Sequence, residues 1–144
     1  MTPKLAANIL RLMGWGFIIF GVIFVTIAFA GIDGFARSLV PIFDWTGGVP
    51  DIGLTREARW FAAIMSGLSA GLGAFYAFLV APLLNVSHSQ TRQIAKRGGL
   101  IAAVIWFVVD STGSFGAGVS SNIVMNFVFL IGLAAPLLMV KFPE

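Results

Sequence analysis

Residues 9–32 read ILRLMGWGFIIFGVIFVTIAFAGI, and this run decides the fold class. Arg11 is the single charge in 24 consecutive residues. At about 1.5 Å of rise per residue, a helix of that length crosses the roughly 30 Å hydrocarbon core of a bilayer. Lys4 before the run and Arg11 at its start, with Ala28-Phe29-Ala30 near its end, also fit a signal peptide. A signal's apolar region is about 7–15 residues, however, and this one is longer. It is read as a first transmembrane helix.

The composition points the same way. Of 144 residues, 58% are hydrophobic and 10% charged, and Phe alone occurs 14 times. A soluble domain averages about 25% charged residues. A globule this small has too much surface to hide so much apolar material. Soluble enzyme domains and disordered chains are excluded. The chain has no Cys, which excludes disulfides, thiol redox chemistry and thiolate metal sites. His88 is the single histidine, so no bis-histidine haem is held within one chain.

Three further apolar runs follow, at about 60–84, 98–113 and 119–140. The expected architecture is therefore all-α: a four-transmembrane-helix bundle forming a single domain over residues 1–144, with spans at about 9–32, 60–84, 98–113 and 119–140. The third run is the shortest, and Lys96 and Arg97 lengthen it by snorkelling at one end. Basic residues orient the bundle. With both termini inside, Lys4, Arg11, Arg92, Lys96, Arg97 and Lys141 lie inside, against Arg37, Arg56 and Arg59 outside. The expectation is a multi-pass protein with cytoplasmic N- and C-termini.

The outer loop, residues 33–59, is punctuated by Pro41, Gly47, Gly48, Pro50 and Gly53 but also carries Phe35, Leu39, Val40, Ile42, Phe43 and Trp45. So apolar a connection is expected to lie on the bundle, as an interfacial helix or as a lid over a site. Thr55 reads as the N-cap of the second span, with Glu57 near its positive end. His88 reads as a solvated loop residue. Ala81-Pro82-Leu83-Leu84 recurs as Ala135-Pro136-Leu137-Leu138, an echo that helix-hairpin duplication or chance would equally produce.

Small residues recur every fourth position in the second span. Ala63, Gly67 and Gly71 form one row, Ser66, Ala70 and Ala74 another, and Ser69 and Gly73 a third. Such rows let helix backbones approach closely in lipid. Ala63, Gly67 and Gly71 are taken as the packing face, against another helix of the chain or against another chain.

Depth counting locates the polar side chains. Measured from Arg11, Asn85, Arg97 and Lys141, Thr26, Ser69, Asp110 and Asn126 stand at about 22, 24, 20 and 22 Å. Each span thus places one polar group at a similar level in the outer half. Asp110 needs the most explanation. A carboxylate in a span costs roughly 2.5–3.5 kcal/mol on insertion scales, and a span ending near 113 puts it in the last helical turn, at the negative dipole end. Asn126 is level with it, Asn122 lies one turn away on the same face, and Arg59 can reach down as a charged partner. The cluster Asp110, Asn122, Asn126, Arg59, Ser69 and Thr26 is either a structural tie or an outward-facing polar pocket for a lipid headgroup, quinone head or small solute. No catalytic set, metal cluster or cofactor motif is present in the sequence, and none is expected.

At Thr55-Arg56-Glu57-Ala58-Arg59-Trp60 and Trp106-Phe107-Val108-Val109-Asp110-Ser111 the chain resembles small four-helix bacterial membrane proteins of the DoxX-like and domain-of-unknown-function type. The resemblance implies a bacterial inner (cytoplasmic) membrane protein, and no functional residues are carried over from it. Three functions are in view: a non-enzymatic accessory subunit acting through partners or lipids, a small-ligand or quinone binder, and a small oligomeric transporter. The expected partners are membrane lipids and a second copy or a larger membrane complex, with no nucleic acid.

Overall fold

The computed structural model describes residues 1–45 and 54–142. Five helices make up the described residues: α1 (Pro3–Phe24), α2 (Gly34–Phe43), α3 (Arg56–Leu83), α4 (Ser89–Gly116) and α5 (Ser120–Met139). All but α2 are long and apolar enough to cross a membrane. The exterior supports that reading: Leu12, Phe115, Val109 and Ile32 are each well over half exposed.

Local chemistry sets the helix ends. Thr2 accepts a hydrogen bond from Leu5 N (3.3 Å), and Pro3 occupies the first turn, so α1 starts six residues before the apolar run. It tightens into a 3₁₀ turn over Val25–Ala28 and stops short of Ile32. Thr55 caps α3 as expected, accepting from Ala58 N at 3.2 Å. Within α3, Phe75–Val80 widens into a π-helical turn. Pro82 stands two residues beyond it and has no N–H to give back to the preceding turn, and such widening is one way a helix absorbs that loss. The third span is longer than its apolar stretch. The polar segment Ser89–Arg97 is helical too, and His88, rather than being a plain loop residue, caps it by accepting from Thr91 N at 3.3 Å.

α1 packs on α3 and α5. α4 packs on α5 and on the Phe75–Leu83 part of α3, while the Arg56–Ala74 part of α3 packs chiefly on α1. The termini meet at one end of the bundle: the Met1 amino group donates to Met139 O (3.1 Å) and Lys141 N donates to Met1 O (3.0 Å). The large enclosed side chains gather in this half, namely Leu10, Tyr76, Val80, Leu84, Leu133 and Leu137. Tyr76 donates its hydroxyl to Gly99 O across the α3–α4 contact. α2 lies at the opposite end. Phe43 meets Phe20 and Phe24 of α1 edge-on, and Ser121 of α5 donates to Phe43 O at 2.9 Å. Of the loop's turn signals, Gly47, Gly48, Pro50 and Gly53 lie outside the described residues.

The close helix approach is not on the expected face. A Cβ added at Gly67 or Gly71 would meet nothing, and both residues are exposed, as the row through Ala63 turns outward. The contact runs instead along Ser66, Ala70, Gly73 and Ala77. A Cβ at Gly14 would lie 2.8 Å from Ala77 N and would also strike Gly73 O; one at Gly73 would strike Gly14 O in return. All three rows contain small residues, so size alone did not identify the contact face, which draws on two of them; the orientation imposed by α1 did.

The repeated Ala-Pro-Leu-Leu motif occupies unlike environments. Pro82 is exposed and opens the last turn of α3, whereas Pro136 is buried inside α5.

Candidate functional site

α4 and α5 form a hairpin whose turn is built for close return. Ala117 N and Val119 N donate back to Gly113 O and Ser114 O, both at 2.9 Å, and Gly118 takes φ +77°, where glycine carries no steric penalty. This turn sets Asp110, Ser111 and Ser114 of α4 opposite Asn122 and Asn126 of α5. Asp110 Oδ1 accepts from Asn126 Nδ2 at 2.9 Å, and from Asn122 Nδ2 and Ser114 Oγ at 3.2 Å each. Asn122 Nδ2 also donates to Ser114 Oγ (2.9 Å), and Asn126 Nδ2 to Ser111 Oγ (3.3 Å).

Two features offset the cost of a carboxylate at this depth. α4 continues to Gly116, so Asp110 stands six residues before its end, and not in the last turn as expected from a span ending near 113. The negative dipole end is felt mainly within that last turn. Asn122 is also the third residue of α5, which brings the carboxylate beside the positive end of a helix.

Arg59 is not part of this cluster. Its Nη1 donates to Ile27 O (2.7 Å) and pairs with Asp33 Oδ2 (3.1 Å), tying the start of α3 to the end of α1. A nearer acid takes the guanidinium that sequence spacing had allotted to Asp110. Burial works to raise the Asp33 carboxyl, but a hydrogen bond from its own backbone, the Arg59 bond and the charges of Arg59 and Arg37 outweigh it and hold the group below its ordinary value of 3.8. Thr26 donates to Ile23 O of its own helix (2.7 Å) and is likewise apart from the Asp110 cluster.

Beside the cluster lies a cavity of about 600 Å³. Its walls come from five helices: Leu12, Met13, Gly16, Phe17, Phe20 and Phe24 of α1; Val40 and Phe43 of α2, with Asp44 just beyond; Met65 and Ser69 of α3; Trp106 and Asp110 of α4; and Asn122, Asn126 and Phe129 of α5, with Val119 before it. Ser69 therefore shares a chamber with Asp110, Asn122 and Asn126. Ser69 spends its hydroxyl proton on Met65 O (2.9 Å). Trp106 packs edge-on against Phe17 and lies 6.4 Å, centroid to centroid, from Phe129, so it faces the interior and not lipid. Leu12, Gly16 and Met65 are exposed as well as lining, which makes the chamber open sideways between helices. α2 carries Val40 and Phe43 across its upper wall. The aromatic lining from α1, α4 and α5 was not assigned to a site from sequence, whereas the apolar loop that forms α2 had been read as an interfacial helix or a lid over a site.

No group of three or more His, Cys, Asp or Glu suited to a metal occurs among the described residues. Compared with known proteins, the chain matches no family model, no curated protein and no solved structure.

Proposed function

We propose that the protein is a non-enzymatic, multi-pass protein of a bacterial inner membrane that binds a small amphiphile. The carrying observation is the cavity: about 600 Å³, walled mainly by apolar and aromatic side chains, with one hydrogen-bonded carboxylate and two amides at its polar side. Cavities of about 300–1,000 Å³ with few convergent polar groups are the usual form of ligand sites. The sideways opening supports entry from the bilayer, and α2 serves as the lid. The orientation proposed is termini inward, from the excess of basic residues at the termini end.

The test uses Gly16→Phe, which adds bulk at a lining position where a Cβ meets nothing. Wild-type protein in phosphatidylcholine nanodiscs should retain a small molecule detectable by native mass spectrometry. The variant should fold and lose it. Equal retention by both would place the molecule elsewhere and defeat the reading. Orientation is checked in this cysteine-free chain with Ser38→Cys and Ser87→Cys and an impermeant maleimide in spheroplasts: only Ser38→Cys should label.

A second reading, an accessory subunit of a larger membrane complex, is favoured by the outward row Ala63, Gly67 and Gly71. Cross-linking from Gly67→Cys to another polypeptide in native membranes would support it.

A further inference from the structure

The ligand's head chemistry can be read from which hydrogen-bonding atoms at the cavity remain unused; this rests on the cavity being a binding site. An amide nitrogen has two hydrogens. Those of Asn122 go to Asp110 and Ser114, and those of Asn126 go to Asp110 and Ser111. The Ser114 proton also goes to Asp110, and the Ser69 proton to Met65 O. The amide and hydroxyl donors here are spent. Acceptors are not. All three bonds to Asp110 fall on Oδ1, and among the described residues Oδ2 accepts none. The side-chain oxygens of Asn122 and Asn126 accept none either, and Asn126 is 3% exposed. The amides cannot usefully turn round, because each would then set its oxygen against a carboxylate oxygen. Among the lining side chains, only the Trp106 indole keeps an N–H without a partner among the described residues. Asp110 places its carboxylate in the chamber wall, and among the described residues no Lys, Arg or His lines it.

We infer that the cavity selects an amphiphile with a positively charged, hydrogen-bond-donating head, of the primary alkylammonium class. An ammonium brings three N–H donors and no acceptor, matching three open acceptor groups and the charge of the Asp110 carboxylate. Phosphate, carboxylate and oxidised quinone heads bring acceptors to a wall already rich in them. The tail would run toward Leu12 and Gly16, where the chamber meets the bilayer.

The experiment titrates four single-chain amphiphiles of equal length into the full chain in phosphatidylcholine nanodiscs: dodecylammonium, dodecyltrimethylammonium, dodecanol and dodecanoate. Binding is read by native mass spectrometry and by thermal shift. Dodecylammonium is expected to bind at least about tenfold more tightly than dodecyltrimethylammonium, which keeps the charge but has no N–H, and dodecanoate most weakly. Asp110→Asn should remain folded and lose most of that preference. If the trimethyl compound or dodecanoate binds as well as dodecylammonium, and Gly16→Phe blocks all of them, the donor-head inference falls while the binding site stands. If none binds saturably, the amphiphile reading falls with it. The trimethyl comparison is made on wild-type protein, so it decides the matter even if Asp110→Asn misfolds.

Discussion

The two ends of this bundle are built on different terms. At the termini end the helices enclose Leu10, Leu84, Leu133 and Leu137, with Tyr76 giving its one polar group to Gly99 O. At the α2 end the buried residues are small or polar: Gly21, Ser66, Ser111, Ser121 and Asn126, with Phe17 and Ile27 among the larger exceptions. There the helices part around the cavity, and side-chain hydrogen bonds join α4 to α5. One end is closed by bulk, the other held by contacts that leave space. A ligand-binding role requires that asymmetry, because a uniformly filled core admits nothing.

The largest expected effect tests the tight α1–α3 contact that both ends share. Gly73→Leu drives a side chain into the backbone at Gly14. It should destabilise the protein by about 3 kcal/mol or more, seen as a large loss of Tm in detergent. Gly67→Leu, on the outward row, should change stability by no more than about 0.5 kcal/mol. Equal behaviour of the two would mean that the contact face has been misread.

At the α2 end, Asp110→Leu removes the acceptor that two amides and a hydroxyl share. A loss of about 1–3 kcal/mol is expected, because those donors are left unpaired. Asp110→Asn should cost clearly less, since its amide oxygen can still accept. A loss from Asp110→Asn as large as from Asp110→Leu would show that charge, not hydrogen bonding, holds the hairpin together.

Tyr76→Phe probes the termini end in the same currency. It keeps the packing and deletes one buried hydrogen bond, for an expected loss of about 1 kcal/mol. A smaller value than for Asp110→Leu would sharpen the contrast between an end closed by bulk and one held by polar ties.

The smallest effect is at the Asp33–Arg59 pair. The folded-state carboxyl lies below its ordinary value of 3.8, so its stabilising contribution is complete above that pH and disappears as pH falls through the lower folded value. A Tm profile from pH 6 to 3 should show a slight downturn only at its acid limit, absent in Asp33→Asn. A downturn beginning near pH 6 would have to come from another group.

Much of this was readable from residue order alone. Four helices long enough to span, the Thr55 cap and the level at which Asp110, Asn126 and Ser69 stand all follow from hydropathy and a fixed rise per residue, which are local properties. Hydropathy understated the third span, since the polar turns Ser89–Arg97 fold as helix without being apolar. What no local rule could decide was rotation about the helix axes. Three rows of small residues in α3 were equivalent in sequence, and only the approach of α1 set Ser66, Ala70 and Gly73 against it and left Gly67 and Gly71 outside. Depth counting offered Arg59 to Asp110, and the fold gave it to Asp33 instead. The cavity too belongs to the tertiary structure alone: it exists because five elements meet with a gap among them, and a gap is a relation between distant residues that no single stretch of sequence contains.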